Sequence, residues 1–155
     1  MLFRSPDDVI EEGRRRTREL PAMIKALALV GRAHVIAVAQ VAKMRMTRGG
    51  VAVVGAREVA PRVFPVKDLV EKPDADHPIF RQRAYGIVGR YLLQPVIFKA
   101  LHRLRAKNPK RVELTDALAE VRDGLPVFAF EVDAARQDIG DLLEHADAIL
   151  GHGRE

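Results

Sequence analysis

An acid, a base and a proline stand together at Glu71-Lys72-Pro73, directly after the apolar run Val63 to Val70. A carboxylate next to an ammonium suits either a pocket for a polar anion or a surface ion pair on a sheet edge. Neighbouring residues on a strand point to opposite faces, so both can serve one ligand only where the strand twists or ends. Pro73 offers such an ending. Gly50 opens another apolar run, where a missing side chain permits a close backbone approach or a simple turn. Val88-Gly89 lies within a third run, as pocket lining or plain sheet core. Asp7 and Asp138 each sit in a short polar break after an apolar stretch, as a loop ligand of a cation would. For Asp7 the alternative is a helix N-cap, which Ser5-Pro6-Asp7-Asp8 suits. The five histidines show no metal-ligand spacing, and there is no cysteine for a disulfide or a thiolate site. Absence of cysteine fits a reducing, cytoplasmic setting.

Elements must position these residues. Leu20, Met23, Ile24, Leu27 and Val30 recur at helical spacing and predict a helix from Glu19 to Val30, stopped by Gly31. His34 to Val41 is short, β-branched and almost wholly apolar, like a strand covered on both faces. Gly50 to Val54 and Val63 to Val70 are two further strands, separated by turn-forming Gly55 and Pro61. Asp74 to Arg83 reads as a polar loop, and Tyr85 to Leu93 returns as a strand. Pro95 opens a helix over Val96 to Arg105. Thr115 caps a helix running to Arg122, and Gly124 ends it. Pro126 to Val132 alternates as a half-buried strand, and a last helix covers Asp141 to Leu150. Helices interleaved with strands and a hairpin-like middle predict one α/β domain over 1–155 with a mixed sheet.

Composition narrows the classes. A chain of 155 residues can bury a real core, and no apolar run approaches the roughly 20 residues of a membrane-spanning helix. The net charge of +5 gathers in Arg14, Arg15, Arg16 and Arg18, and in Arg103, Arg105, Lys107, Lys110 and Arg111. Neither cluster contains an aromatic for base stacking, so solvated helix faces explain them better than nucleic-acid binding. The expected partners therefore include neither a membrane nor nucleic acid.

Short segments in a fixed order carry a resemblance. They are Pro6-Asp7-Asp8-Val9-Ile10, Met23-Ile24, His34 to Val38, Thr47-Arg48-Gly49-Gly50-Val51 and Leu69-Val70-Glu71-Lys72-Pro73. Ile87-Val88-Gly89-Arg90-Tyr91, Glu113-Leu114-Thr115-Asp116-Ala117 and Asp138-Ile139-Gly140-Asp141 complete the series. In order and spacing they resemble the sugar nucleotidyltransferases, most closely the bacterial UTP–glucose-1-phosphate uridylyltransferases, from about Pro6 to the final helix. The resemblance implies a Rossmann-like mixed-sheet fold and transfer of a uridylyl group from UTP to glucose 1-phosphate, with release of pyrophosphate. It implies Lys72 as the catalytic lysine meeting the sugar phosphate, and Glu71 as acceptor from sugar hydroxyls. It places Gly50, Val88 and Gly89 along the sugar, and gives Asp7 and Asp138 as ligands of magnesium, which prefers carboxylate and phosphate oxygens. Thr115 and Asp116 it leaves as capping residues.

The sequence also departs from that family. Its members open with a Gly-x-Gly-Thr-Arg loop and a Pro-Lys pair, whose backbone N–H groups hold the nucleotide phosphates. The only Gly-x-Gly here is Gly151-His152-Gly153. The expectation is a fold truncated at its N-terminus, lacking the nucleotide-binding half and inactive alone. It would work with a separate N-terminal half, self-associate, or persist as a non-catalytic sugar-phosphate-binding remnant. Lys110-Arg111 replaces a family Gly-Glu, Ala84 replaces an Asn, and Gly13 to Arg18 is an arginine-rich insertion.

Overall fold

The computed structural model describes residues 2–4, 8–12, 19–132 and 134–138, with side chains over 19–132. Helix α1 (Glu19–Val30) buries Met23 and Ala26. It stops where Gly31 takes φ +77° and donates its N–H to the Leu27 carbonyl at 2.9 Å, a left-handed turn that glycine adopts without a Cβ penalty.

Strands β1 (Leu2–Arg4) and β2 (Asp8–Glu12) lie before α1 in the sequence. Strand β3 (His34–Ala39) follows it and is buried at every position. It pairs in parallel with β7 (Val127–Glu131) and antiparallel with β6 (Ala84–Leu92). Strand β4 (Gly50–Val54) pairs with β5 (Val63–Glu71) on one edge and with the start of β6 on the other. The end of β6 pairs with β1. The sheet order is thus β1-β6-β3-β7-β5-β4, and the extra β4–β6 pairing closes the last five strands into a circuit. The expected mixed sheet is present, and Val63 to Val70 shares it with Tyr85 to Leu93.

Two bends allow the closure. Strand β5 pairs with β7 up to Pro65 and with β4 from Val66 onward. A proline, which has no N–H for a ladder, is tolerated where partners change. On β6, Gly89 takes φ +65°, and the register against β3 slips between the Ile36–Tyr91 and Val38–Ile87 pairs. This is bulge geometry, which bends a strand and re-aims its side chains.

Side-chain alternation then sorts the core. Ile36, Val38, Ala52, Leu69 and Ile87 face helices α3 (Ile97–Lys107) and α4 (Leu114–Val121). Val35, Ala37, Ala39 and Val88 face α1. On the remaining outer surface Val51 and Val53 meet Ile79 of a 3-10 turn, Pro78–Arg81, with Met46 of the short helix α2 (Lys43–Met46) beside them.

Several expectations need correction. Val127 to Val132 is not half-buried: Val127, Ala129, Phe130 and Val132 are all below 6% exposed, because β7 lies inside the sheet with helices on both faces. Asp74 to Arg83 contains the 3-10 turn, whose first free N–H, at Ile79, is accepted by His77 Nδ1 at 3.1 Å. Thr115 is no cap. Helix α4 starts at Leu114 with Glu113 in the capping position, and Thr115 lies inside it at 3% exposure. Asp8–Glu12 is strand β2, so no helix follows Asp7 to be capped. Strand β2 pairs with β8 (Ala134–Asp138) in a separate two-stranded sheet. The helix expected over Asp141 to Leu150, Asp7 itself and the Arg14–Arg18 cluster lie outside the described residues.

Candidate functional site

Strand β5 delivers Glu71 as its last residue, paired with Gly50, the first residue of β4. Ladder pairing continues for one more bond, from the Lys72 N–H to the Gly49 carbonyl at 3.0 Å. Lys72 itself takes φ +45°, a conformation costing a residue with a Cβ about 1–2 kcal/mol. The left-handed turn breaks strand alternation, so acid and base finish on the same side. Lys72 Nζ lies 3.9 Å from Glu71 Oε1 and 3.9 Å from Glu113 Oε1. Strain of this kind gathers at sites where geometry has to be imposed.

The two side chains differ in exposure. Lys72 is 49% exposed and Glu71 only 12%, so the carboxylate sits deeper and the ammonium nearer solvent. A pair at this distance and exposure contributes little to stability. Glu71 has its pKa raised, first by burial, and also by the nearby carboxylates of Glu113 and Asp116. A hydrogen bond from Thr115 and the charge of Lys72 oppose that rise. Glu113 is held in turn by Arg111, with Nε 3.2 Å from its Oε1.

Gly50 is required by its surroundings. A Cβ there would lie 2.6 Å from Thr115 Oγ1, 2.9 Å from Ile87 Cδ1 and 3.3 Å from Glu71 Oε2. Real Cβ atoms do not approach so closely, so β4, β6, α4 and the end of β5 meet at this point only because it is glycine.

The structure thus brings Gly50, Glu71 and Lys72 together. Val88 lies on the opposite face, in the core under α1, while Ile87 faces Gly50. Gly89 supplies the bend in β6 and is buried. Asp138 pairs in register with Asp8 at one end of the β2–β8 ladder, and β8 runs beside β3. Only its backbone is described. Among the described residues, no group of three or more His, Asp or Glu side chains could hold a metal ion. Ala84, where relatives of the resembled family present an asparagine, lines a cleft of about 380 Å3 with Gln40, Met46, Gln82, Arg83 and Tyr85. Sequence reasoning missed Ile87 and Thr115 as wall residues. Alternation from buried Tyr85 pointed to the first. Thr115 stands three residues before Leu118, on the apolar stripe of α4, which pointed to the second.

Comparison with known proteins bears on the family and the fold. No protein-family model matches the chain. The UTP–glucose-1-phosphate uridylyltransferase of Staphylococcus haemolyticus is 29% identical over 137 residues, covering 88% of this chain and 44% of that protein. A Bacillus subtilis enzyme of the same name is 37% identical over 81 residues, 52% of this chain and 26% of its own length. The UTP-bound UGPase from Acinetobacter baumannii superposes with a TM-score of 0.71 at 25% identity, covering 98% of this chain and 50% of that one. The chain is related to the UTP–glucose-1-phosphate uridylyltransferases. It spans less than half the length of the two curated relatives described. A UDP-glucose pyrophosphorylase complexed with UDP-glucose shares the fold, with a TM-score of 0.71 at 20% identity. The described residues contain no helix long and apolar enough to cross a membrane.

Proposed function

We propose that this chain forms the sugar-phosphate-binding part of a UTP–glucose-1-phosphate uridylyltransferase. The observation that carries the reading is the turn at Lys72, which sets a half-exposed ammonium beside the largely enclosed carboxylate of Glu71, 3.9 Å away. Lys72 meets the sugar phosphate, a compact charge on a compact anion. Glu71 accepts hydrogen bonds from sugar hydroxyls, and Gly50 and Ile87 shape the wall beside it. In the complete reaction a phosphate oxygen of glucose 1-phosphate attacks the α-phosphorus of UTP. The new P–O bond forms as the bond to the β-phosphate oxygen breaks, and pyrophosphate departs. Protein groups contribute mainly by positioning and charge neutralisation.

Magnesium fits the donor chemistry on offer. The register of β2 and β8 sets Asp138 opposite Asp8, next in sequence to Asp7, so carboxylate-bearing residues lie at one end of a ladder. Asp7 and Asp138 would hold the ion, with substrate phosphates completing an all-oxygen set. When bound, it would neutralise charge on the departing pyrophosphate.

Calorimetry with glucose 1-phosphate tests the reading. Binding should weaken roughly tenfold or more in Lys72→Ala, the usual loss for a hydrogen bond to a charged group. Equal affinity in both proteins removes Lys72 from the site. Binding of glucose 1-phosphate no tighter than of inorganic phosphate would sink the sugar pocket altogether.

A further inference from the structure

Thr115 has no role in the resemblance to the uridylyltransferases beyond that of a cap, and the structure excludes a cap. It is one of two buried polar or charged residues among those described, at 3% exposure. Its hydroxyl and the Glu71 carboxylate converge on one point, the place a Cβ on Gly50 would take, with Thr115 Oγ1 2.6 Å and Glu71 Oε2 3.3 Å from it, and the hydroxyl favours the charged form of that carboxyl. A buried hydroxyl must find a partner or cost free energy, and the Glu71 carboxylate is the acceptor that shares its place beside Gly50. We propose that Thr115 is the positioning residue of this site, donating its hydroxyl proton to Glu71 so that the carboxylate stays in place and charged beneath the sugar. The proposal rests on the sugar-phosphate reading for its purpose, though the Thr115–Glu71 link can be measured without it.

The charges around Glu71 show why such a donor is needed. Glu113 and Asp116, from the start of α4, press its carboxyl toward the neutral form, as burial does more strongly. Lys72 opposes them from the rim at 3.9 Å, but it also faces Glu113 and is half exposed. Arg111 is occupied by Glu113. Thr115 is therefore the neighbour that favours the ionised form from within the wall, where solvent does not weaken it. A protonated Glu71 would offer one acceptor fewer to the sugar, so binding should fall with pH at a higher value than for an ordinary glutamate. Glycine at position 50 is explained by the same contact, because any larger residue would push the hydroxyl away from its acceptor.

The test is carbon-13 NMR titration of the Glu71 side-chain carboxyl in the full chain, in Thr115→Val and in Thr115→Ser. Valine keeps the shape and removes the hydroxyl, and serine keeps the hydroxyl. The midpoint should move upward in Thr115→Val and return to the parent value in Thr115→Ser. Glucose 1-phosphate affinity at neutral pH should fall roughly tenfold in the valine variant only, the usual loss for a charged hydrogen bond. An unchanged midpoint in Thr115→Val, or equal shifts in both variants, overturns the proposal. Should valine prevent folding, Thr115→Ala removes the hydroxyl without adding a methyl against the carboxylate, and the same titration decides. Because the titration uses no ligand, failure of glucose 1-phosphate to bind would count against the sugar reading and not against this link.

Discussion

At the residue scale two positions carry consequences, Gly50 in the candidate site and His34 in the core. Gly50→Ala drives a Cβ against Thr115 Oγ1 and Ile87 Cδ1, at 2.6 and 2.9 Å. Overpacking of this sort costs about 1–3 kcal/mol, so the urea midpoint of Gly50→Ala should drop by a matching amount. An undiminished midpoint would mean that the wall can give way. His34 is fully buried, and its Nδ1 accepts the Gln94 N–H at 3.2 Å. The ring is therefore neutral with its proton on Nε2, which meets no partner among the described residues. Burial lowers its pKa below the ordinary 6.5. With a depressed folded-state value, the stability His34 contributes is complete above about 6.5 and is lost as pH falls through the folded value, since the unfolded chain takes the proton first. Thermal melting should show that acid-side loss, and His34→Asn, whose Oδ1 can replace Nδ1 as acceptor, should flatten it. A melting profile that keeps its shape in the variant would clear His34 of the effect.

At the scale of elements, the ends of helices and strands carry the consequences. Gly31 at φ +77° has open space around it, so Gly31→Ala should cost only the backbone term, about 1–2 kcal/mol, without disturbing the core. Thermal melting reads this directly, and a loss much larger than that would mean a clash the structure does not show. Leu118 packs α4 onto the sheet at 0% exposure. Leu118→Ala should lose about 2–5 kcal/mol, and because α4 also carries Thr115, weaker glucose 1-phosphate binding should accompany it. Calorimetry on the folded fraction would separate the two, since a purely global loss leaves the affinity of folded molecules intact. Helix α1 shows how far element patterns could be read directly. Its period, its length and its glycine stop were all legible because they are local. The burial of β7 was not, because alternation within one strand says nothing about what covers either face.

At the scale of the whole molecule, these 155 residues contain no Gly-x-Gly-Thr-Arg segment of the kind with which the resembled family holds nucleotide phosphates. Holding the reacting groups in line can account for roughly 7–11 kcal/mol of a barrier. The 155-residue polypeptide is therefore expected to form no measurable UDP-glucose from UTP and glucose 1-phosphate. Turnover should require addition of a separately expressed nucleotide-binding half. Robust turnover by the polypeptide alone would reveal a nucleotide site elsewhere in it, and none on mixing would favour a binding role without chemistry.

What the residues determined by themselves was local or ordered along the chain. Apolar periodicity set the helix at Glu19–Val30 and the strands at Gly50–Val54 and Val63–Glu71 to within a residue. The order of short segments identified the family, because that signal needs no coordinates. Only the tertiary structure decided which neighbour faces the site. Ile87 rather than Val88 lies against Gly50, since a strand alternates its faces and the sequence does not say which face is inward. Lys72 joins Glu71 because its left-handed turn cancels the alternation that would have parted them. Thr115 became part of the wall because α4 begins two residues earlier than its capping potential suggests, and packing of α4 on the sheet turns that hydroxyl toward Gly50 and Glu71. Each of these depends on contacts between residues distant in sequence, and no local pattern encodes them.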